Sequence, residues 1–202
     1  VVIAKTDATV NLGASAPDKQ TSIEAGGAIN IKAQAASSAS VSSYGIAASI
    51  GYANSHANAT VDLGAKTKIT GGGPITVGAY IDNNIDVVAR VVDPTEKEKG
   101  KVPVDIAVAY TTATGTASTT VGSGVEITGN ASGANDKVTV EAVSSKDLST
   151  EVGAGAGNDL FGGAVAITHS DTRATTTVNG RVTSQANLAV QAGGSNDGND
   201  TS

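Results

Sequence analysis

Aliphatic and polar residues alternate strictly in four short segments of the chain. Each segment has an aliphatic residue at every second position and ends on alanine: INIKA (29–33), ITVGA (75–79), VTVEA (138–142) and LAVQA (188–192). Successive side chains of a strand point to opposite faces, so this period of two predicts four β-strands. Each strand is expected to turn one face to a core and the other to solvent.

A second motif precedes each of these strands and defines a repeat. ATVNLG at 8–13 recurs as ATVDLG at 59–64, and more loosely as TTVG at 119–122 and TTVNG at 176–180. Its valine serves as the anchor of each copy, in order Val10, Val61, Val121 and Val178. The anchors lie 51 to 60 residues apart. Residues 1–192 are therefore predicted to form one continuous segment of repeats about 56 residues long.

The repeat register predicts two sets of equivalent, inward-facing residues. The first set is the four anchors, and the second is Ile31, Val77, Val140 and Val190. Burial is expected to be high throughout both sets.

A third kind of segment is small and apolar on both faces, at 45–50, 104–109 and 163–167. These runs are expected to be covered on more than one side or to form a lateral contact surface, since small side chains allow close approach. Chain length varies most at 37–44, 91–103 and 149–163, and these segments are predicted to be loops leaving one side of the stack. Residues 193–202, rich in Gly, Asn and Asp, have the composition of a linker and are interpreted as an exit segment.

Composition favours strands and excludes several classes of function. Val, Ile and Thr make up 60 of the 202 residues, and the chain has no Cys, Met or Trp. Branching at Cβ suits a pleated surface, whereas the absence of Cys excludes disulfides and Cys-ligated metals. The net charge of −6 argues against a nucleic-acid partner. No apolar run approaches the length that would span a membrane, so no membrane insertion of this segment is expected.

These patterns together predict an all-β fold, and specifically a β-solenoid whose coils stack about 4.8 Å apart. If each repeat makes two coils of about 28 residues, the chain would form about seven coils and stand roughly 35 Å tall. A row of tandem small β-sandwiches is the alternative fold. It is less favoured because about 56 residues is small for a sandwich without disulfides.

The ATVxLG, xIxAGG and IxVxA strands, poor in aromatic residues and free of Cys, resemble the repeat regions of very large bacterial surface and secreted proteins. These include filamentous-haemagglutinin-like adhesins and autotransporter passenger domains. The resemblance implies a right-handed parallel β-helix at the bacterial cell surface or in the extracellular space. It also implies a structural or adhesive role, as a stiff spacer or fibre segment that displays variable loops.

The resemblance further suggests which partners to expect. They are neighbouring repeats or copies of the same chain, assembled end to end or laterally, and a host or matrix glycan or protein. The repeat is longer than the coil repeat familiar in haemagglutinin-like rods, which leaves the number of coils open.

A carbohydrate-active β-helix enzyme, either a polysaccharide lyase or a hydrolase, is the alternative function. Such an enzyme needs clustered carboxylates beside a basic side chain on one sheet face. The chain has only three arginines, Arg90, Arg173 and Arg181, so no enzyme is expected and no catalytic residue is assigned. His56 and His169 precede anchors in polar segments, and neither has a second ligand at metal-binding spacing, which predicts surface-facing histidines.

One glycine-rich segment has some of the features of a calcium site. Residues 155–163, GAGNDLFGG, are similar to the nonapeptide of calcium-binding RTX β-rolls, and Asn158 and Asp159 would be the ligands. A β-roll binds calcium between consecutive coils, so a single copy cannot build the full cage. A glycine-rich loop is the favoured interpretation, and no other cofactor is predicted.

Overall fold

The structure is a computed structural model, and it describes residues 1–13, 19–92, 104–133, 135–154 and 161–201. Within these residues the secondary structure consists of β-strands. In chain order they are β1 (Val2–Leu12), β2 (Thr21–Ala25), β3 (Ile29–Gly45), β4 (Ala48–Leu63), β5 (Thr67–Gly71), β6 (Ile75–Val91), β7 (Val104–Val121), β8 (Glu126–Gly129), β9 (Val138–Gly153), β10 (Phe161–Val178), β11 (Arg181–Ser184) and β12 (Leu188–Thr201).

The strands form three parallel sheets that each run through all four repeats. The first sheet has the order β1-β4-β7-β10, the second β2-β5-β8-β11 and the third β3-β6-β9-β12. Each repeat thus supplies one strand to each sheet. The strands of one repeat pair with those of the next repeat, which is not the pairing expected of tandem sandwiches.

The expectation of two coils per repeat was wrong. One strand per sheet and repeat gives four levels, which span about 14 Å at the usual spacing of neighbouring strands. The chain fits into fewer levels because its strands are long: β3 has 17 residues and β7 has 18.

Two of the predicted loops are instead parts of these long strands. Residues 37–44 belong to β3, and 149–153 belong to β9. In residues 37–44 burial alternates with a period of two: Ser37, Ala39 and Val41 are buried, and the residues between them are exposed. The segment is rich in serine, so this period was not recognised in the sequence. In the third predicted loop, residues 93–103 lie outside the described part of the chain.

The segment interpreted as an exit linker also pairs as a strand. Strand β12 continues along β9 to Thr201, with a shift of register between Asn196 and Gly198. Composition alone predicted a linker here. A neighbouring strand can hold such a sequence extended, because the ladder uses backbone groups that every non-proline residue carries.

Residues that lie opposite one another in successive strands of a sheet form columns. The set Ile31, Val77, Val140 and Val190 is one column, as predicted. The four anchors are not. Val10 pairs with Val61 and Val121 with Val178, but Val61 lies opposite Thr119.

The predicted register of the anchors is therefore wrong by two residues between the second and third repeats. Thr119 tolerates the buried position because its hydroxyl donates to the Glu141 carbonyl at 2.6 Å and accepts from the Ala79 amide at 3.0 Å. A shift of two leaves the same side chains facing inward, so the alternation of the strand is preserved.

The residues of the two predicted sets differ in burial. Val61, Val121, Val77 and Val140 are fully buried, and Ile31 is also buried. Val10 and Val178 are only half-buried, and Val190 is 50% exposed. The prediction of high burial thus holds for the inner repeats and for Ile31. It was wrong for Val10, Val178 and Val190, which lie on the edge strands β1, β10 and β12.

Candidate functional site

The first half of strands β4, β7 and β10 carries an exposed aliphatic surface, here called the aliphatic ladder. Its outward-facing members are Ile50, Ile106, Val108, Val165 and Ile167. Ile50 lies opposite Val108, which lies opposite Val165, and Ile50 is 69% exposed. The expectation that these segments are covered on more than one side is therefore wrong, because one face is exposed. The alternative expectation, that they form a lateral contact surface, stays a prediction.

Interior space explains why the larger side chains point outward here. The alternate positions, which include Gly51, Ala107 and Ala109, face inward and are buried. A Cβ added to Gly51 would lie 2.7 Å from Val87 Cγ1 of the third sheet. The aliphatic side chains of the third sheet, such as Val87, fill the space between the two sheets, so only small inward residues of the first sheet fit here. The aliphatic residues of these strands lie on the outer face.

An aromatic pair borders the aliphatic ladder. The rings of Tyr52 and Tyr110 are stacked, with centroids 5.5 Å apart and planes within 1° of parallel. The next residue in that column is Ile167. The pair adds amphipathic surface beside the aliphatic side chains, since each ring carries a hydroxyl.

A polar network on the same sheet surrounds His56. Asn58 donates to the Asp7 carboxylate at 2.9 Å and faces His56 Nε2 at 2.7 Å, while its Oδ1 accepts from the Thr116 amide. The Thr116 bond fixes which end of the Asn58 amide faces the ring, so Nε2 accepts and Nδ1 donates to Thr114 Oγ1, at 2.9 Å. The hydrogen bond from Asn58 is the main cause that lowers the pKa of Asp7.

The two histidines lie in neighbouring columns and do not meet. His56 lies opposite Thr114, and His169 lies opposite Thr112. Both point to the outer face, as the sequence predicted, with His56 half-buried and His169 exposed.

The third sheet carries an open groove on its outer face, here called the Tyr80 groove. It has a volume of about 410 Å³ and is lined by Gln34, Ala35, Ala36, Tyr80, Ile81, Asp82, Val143 and Ser145. The Tyr80 ring lies along its own strand above Gly78, where an added Cβ would come within 2.8 Å of the ring. Glycine at 78 therefore makes room for the ring.

Hydrogen bonds and charge hold the Tyr80 ring in place. Its hydroxyl donates to Glu141 Oε1 at 2.5 Å, and Lys32 Nζ lies 5.5 Å from the ring centroid. Glu141 also accepts a hydrogen bond from the Gln191 side chain. Partial burial, followed by the bond to Glu141, raises the pKa of the Tyr80 phenol well above its usual value. Sequence reasoning missed this cluster, whose members come from all four repeats.

Polar side chains also meet inside the molecule. The hydroxyls of Thr111 and Thr150 lie 2.6 Å apart, and that of Thr168 lies 2.8 Å from Thr150. Lys146 Nζ donates to Ser170 Oγ at 2.9 Å. Polar residues at inward positions of the alternation are the signal that could have found this layer.

The interior opens at the last repeat. A cavity of about 330 Å³ lies between strands β9, β10 and β12, lined by Ser144, Lys146, Thr172, Ala174, Ala192, Gly193 and Gly194. Most of these side chains come from inward positions, so the cavity is the open end of the core.

The described part of the chain brings no three His, Asp or Glu side chains together as metal ligands. The calcium candidates Asn158 and Asp159 fall outside the described residues. The three arginines are in three different sheets: Arg90 in β6, Arg173 in β10 and Arg181 in β11. Arg90 pairs with Glu151, and Arg173 Nε lies 3.3 Å from Asp171.

Among the described residues, no helix has the length and apolar character needed to cross a membrane. Comparison with protein-family models, curated proteins and solved structures found no match to this chain.

Proposed function

We propose that the chain is a right-handed β-solenoid segment of an extracellular bacterial surface protein or fibre, with a structural and adhesive role. The observation that carries the proposal is that each of the three parallel sheets takes one strand from every repeat. In such a stack each repeat contacts only its neighbours, so length follows repeat number. The strong preference of parallel strand connections for right-handed crossovers supports the proposed hand.

Close packing of the interior supports a role as a stiff spacer. Ala8, Ala59, Ala117 and Ala174 form one inward column of the first sheet. Short side chains hold the facing sheets close together and have few rotamers to exchange. Long strands paired on both sides in the two inner repeats add to the resistance against bending.

The outer faces supply surfaces for adhesion. The aliphatic ladder is an exposed apolar surface, and such surfaces on soluble proteins mark contacts with other macromolecules. The Tyr80 groove combines an amphipathic ring with carboxylate, amide and hydroxyl groups, which suits a host or matrix glycan or a polar protein segment.

Two measurements on the 202-residue chain test the proposal. Small-angle scattering should give a rigid body whose dimensions match three sheets of four strands. A glycan and matrix-protein array should show binding that is lost with Tyr80→Ala and kept with Tyr44→Ala, because Tyr44 is exposed on β3 but does not line the groove.

Other outcomes would overturn it. A flexible, expanded scattering profile would contradict the spacer role. Turnover in a polysaccharide depolymerisation screen would favour the lyase or hydrolase alternative. Binding that Tyr44→Ala and Tyr80→Ala weaken equally would remove the Tyr80 groove as the adhesive surface.

A further inference from the structure

We propose that the last repeat of one molecule stacks on the first repeat of a second copy, in the register of the internal repeats, with Asp171 opposite Lys5 and Arg173 opposite Asp7. The inference rests on the proposed β-solenoid and names its partner and contact. The interface would be a heterologous, head-to-tail contact, which builds a filament when it is repeated.

Open sheet edges at both ends make this contact geometrically available. Strands β1, β2 and β3 form one edge of the three sheets, and β10, β11 and β12 form the opposite edge. Within the residues that the structure describes, each of these edge strands has a partner strand on one side only. Unpaired backbone groups in a row are a template for pairing with another chain.

The charges at the two edges are complementary in register. Lys5 lies opposite His56, which lies opposite Thr114 and then Asp171. The column of Asp7 continues in the same way to Arg173. Repeating the stack once more brings Lys5 of the next copy opposite Asp171, and Asp7 opposite Arg173.

Each edge carries its two charges as a pair along one strand. Lys5 Nζ lies 3.3 Å from Asp7 on β1, and Arg173 Nε lies 3.3 Å from Asp171 on β10. The order of the signs is opposite on the two strands. Stacking would therefore join two exposed pairs into a square of four alternating charges.

The interior columns are also compatible across the contact. Leu188 and Val190 point inward and are each 50% exposed at the last repeat. The same register places Ile29 and Ile31 of the next copy over them, since these residues head their columns. Val178 would meet Leu12 in the first sheet. The contact would bury apolar side chains that are now half-exposed and would close the cavity at the end of the core.

Edge protection is the competing explanation for the charges. Charged side chains on an edge strand are a common device against unwanted pairing. Protection requires only that the edges be charged, and like charges at both ends would serve it better. The matched opposite signs favour association, and no two like charges meet in the columns whose side chains are described.

Charge exchange separates the two explanations. One variant exchanges the signs on β1, with Lys5→Asp and Asp7→Lys, and another exchanges them on β10, with Asp171→Arg and Arg173→Asp. Both keep the ion pair along the strand and the net charge. The matched control, Arg90→Glu with Glu151→Arg, exchanges the two members of an ion pair on the inner strands β6 and β9 of the third sheet.

Sedimentation velocity over a concentration series should show head-to-tail association of the unmodified chain and of the control. Either exchange alone is expected to weaken the association constant roughly 10- to 100-fold, because two attractive pairs become repulsive. Both exchanges in one chain, or a mixture of the two variants, should restore it. Salt at about 1 M should weaken the unmodified assembly and strengthen that of each single exchange.

A chain that stays monomeric at every concentration overturns the inference, as does association that the exchanges leave unchanged. Circular dichroism confirms that each variant folds. If an exchange fails to fold, the neutral pair Lys5→Gln with Asp7→Asn replaces it and should remove the salt dependence. A folded, rigid monomer would refute the stacking and leave the spacer proposal intact, whereas a flexible monomer would refute both.

Discussion

Ser55 and Asn83 join the first and third sheets through a hydrogen bond inside the molecule. Ser55 Oγ donates to Asn83 Oδ1 at 2.7 Å, and neither residue is exposed to solvent. The Ser37 carbonyl lies 3.2 Å from the same hydroxyl. A buried polar group that loses its partner costs far more than the bond contributes when made, so this contact disfavours other registers of the two sheets.

Asn83→Ala is expected to lower the free energy of unfolding by about 1–3 kcal/mol, because it removes the amide that Ser55 bonds in the interior. Asn84→Ala is the matched control, since Asn84 is the next residue of β6 and points to solvent. Urea unfolding of both variants checks this. Equal decreases in the free energy of unfolding of the two variants would contradict a stabilising contribution of the buried hydrogen bond.

Val77→Asp should cost several kcal/mol through an unpaired buried charge, because Val77 is fully buried on β6. Val190→Asp, in the same column, should cost clearly less because Val190 is half-exposed at the edge. Thermal or urea unfolding of the two variants measures the difference. Similar losses would contradict the picture of a core that is open at the last repeat.

Gly115→Ala should destabilise the protein by about 1–3 kcal/mol, since crowding in a packed interior forces the backbone to move. An added Cβ at Gly115 would lie 2.0 Å from the Ala57 carbonyl oxygen. At Gly163 no atom lies within 4 Å of such a Cβ. Gly163→Ala should therefore be neutral or stabilise by about 0.4–1 kcal/mol, because Ala restricts the unfolded chain. Destabilisation of both variants to the same degree would contradict this difference in space.

Introduced cysteines can test the register between the second and third repeats, because the chain has none of its own. Thr60 lies opposite Ser118, at a strand spacing of about 4.8 Å, which permits a disulfide. Thr60→Cys with Ser118→Cys should crosslink on mild oxidation. Thr60→Cys with Thr120→Cys, the pair that equivalent anchors Val61 and Val121 would predict, should not, since its Cα atoms lie about 8 Å apart. Mass spectrometry of the oxidised variants distinguishes the two registers.

The periodic pattern was sufficient to predict the type of structure and much of the core. Alternation at 29–33, 75–79, 138–142 and 188–192 identified four strands that pair in one sheet, in the predicted register. This succeeds because the period of two is a property of the strand itself, and a column of similar aliphatic residues stacks well on itself.

Sequence periodicity predicted less about the two candidate surfaces, the Tyr80 groove and the aliphatic ladder. Lys32 and Tyr80 are 48 residues apart in sequence, and Tyr80 and Glu141 are 61 residues apart. Only the register of the third sheet brings the three together. The aliphatic ladder was located in sequence, but its exposure was not foreseen, because a run that is apolar on both faces does not reveal which face is covered.

The sequence by itself determined that the chain is all-β, repetitive and aliphatic, because these features follow from local periodicity and side-chain shape. Tertiary structure decided how many strands each repeat forms, which anchors are equivalent and which apolar residues reach solvent. Those outcomes depend on distances between sheets. The close approach of the third sheet leaves room only for small inward side chains beside Ile50 and Ile106, so these two residues point outward. Two hydrogen bonds allow Thr119 to be buried in a column of the core.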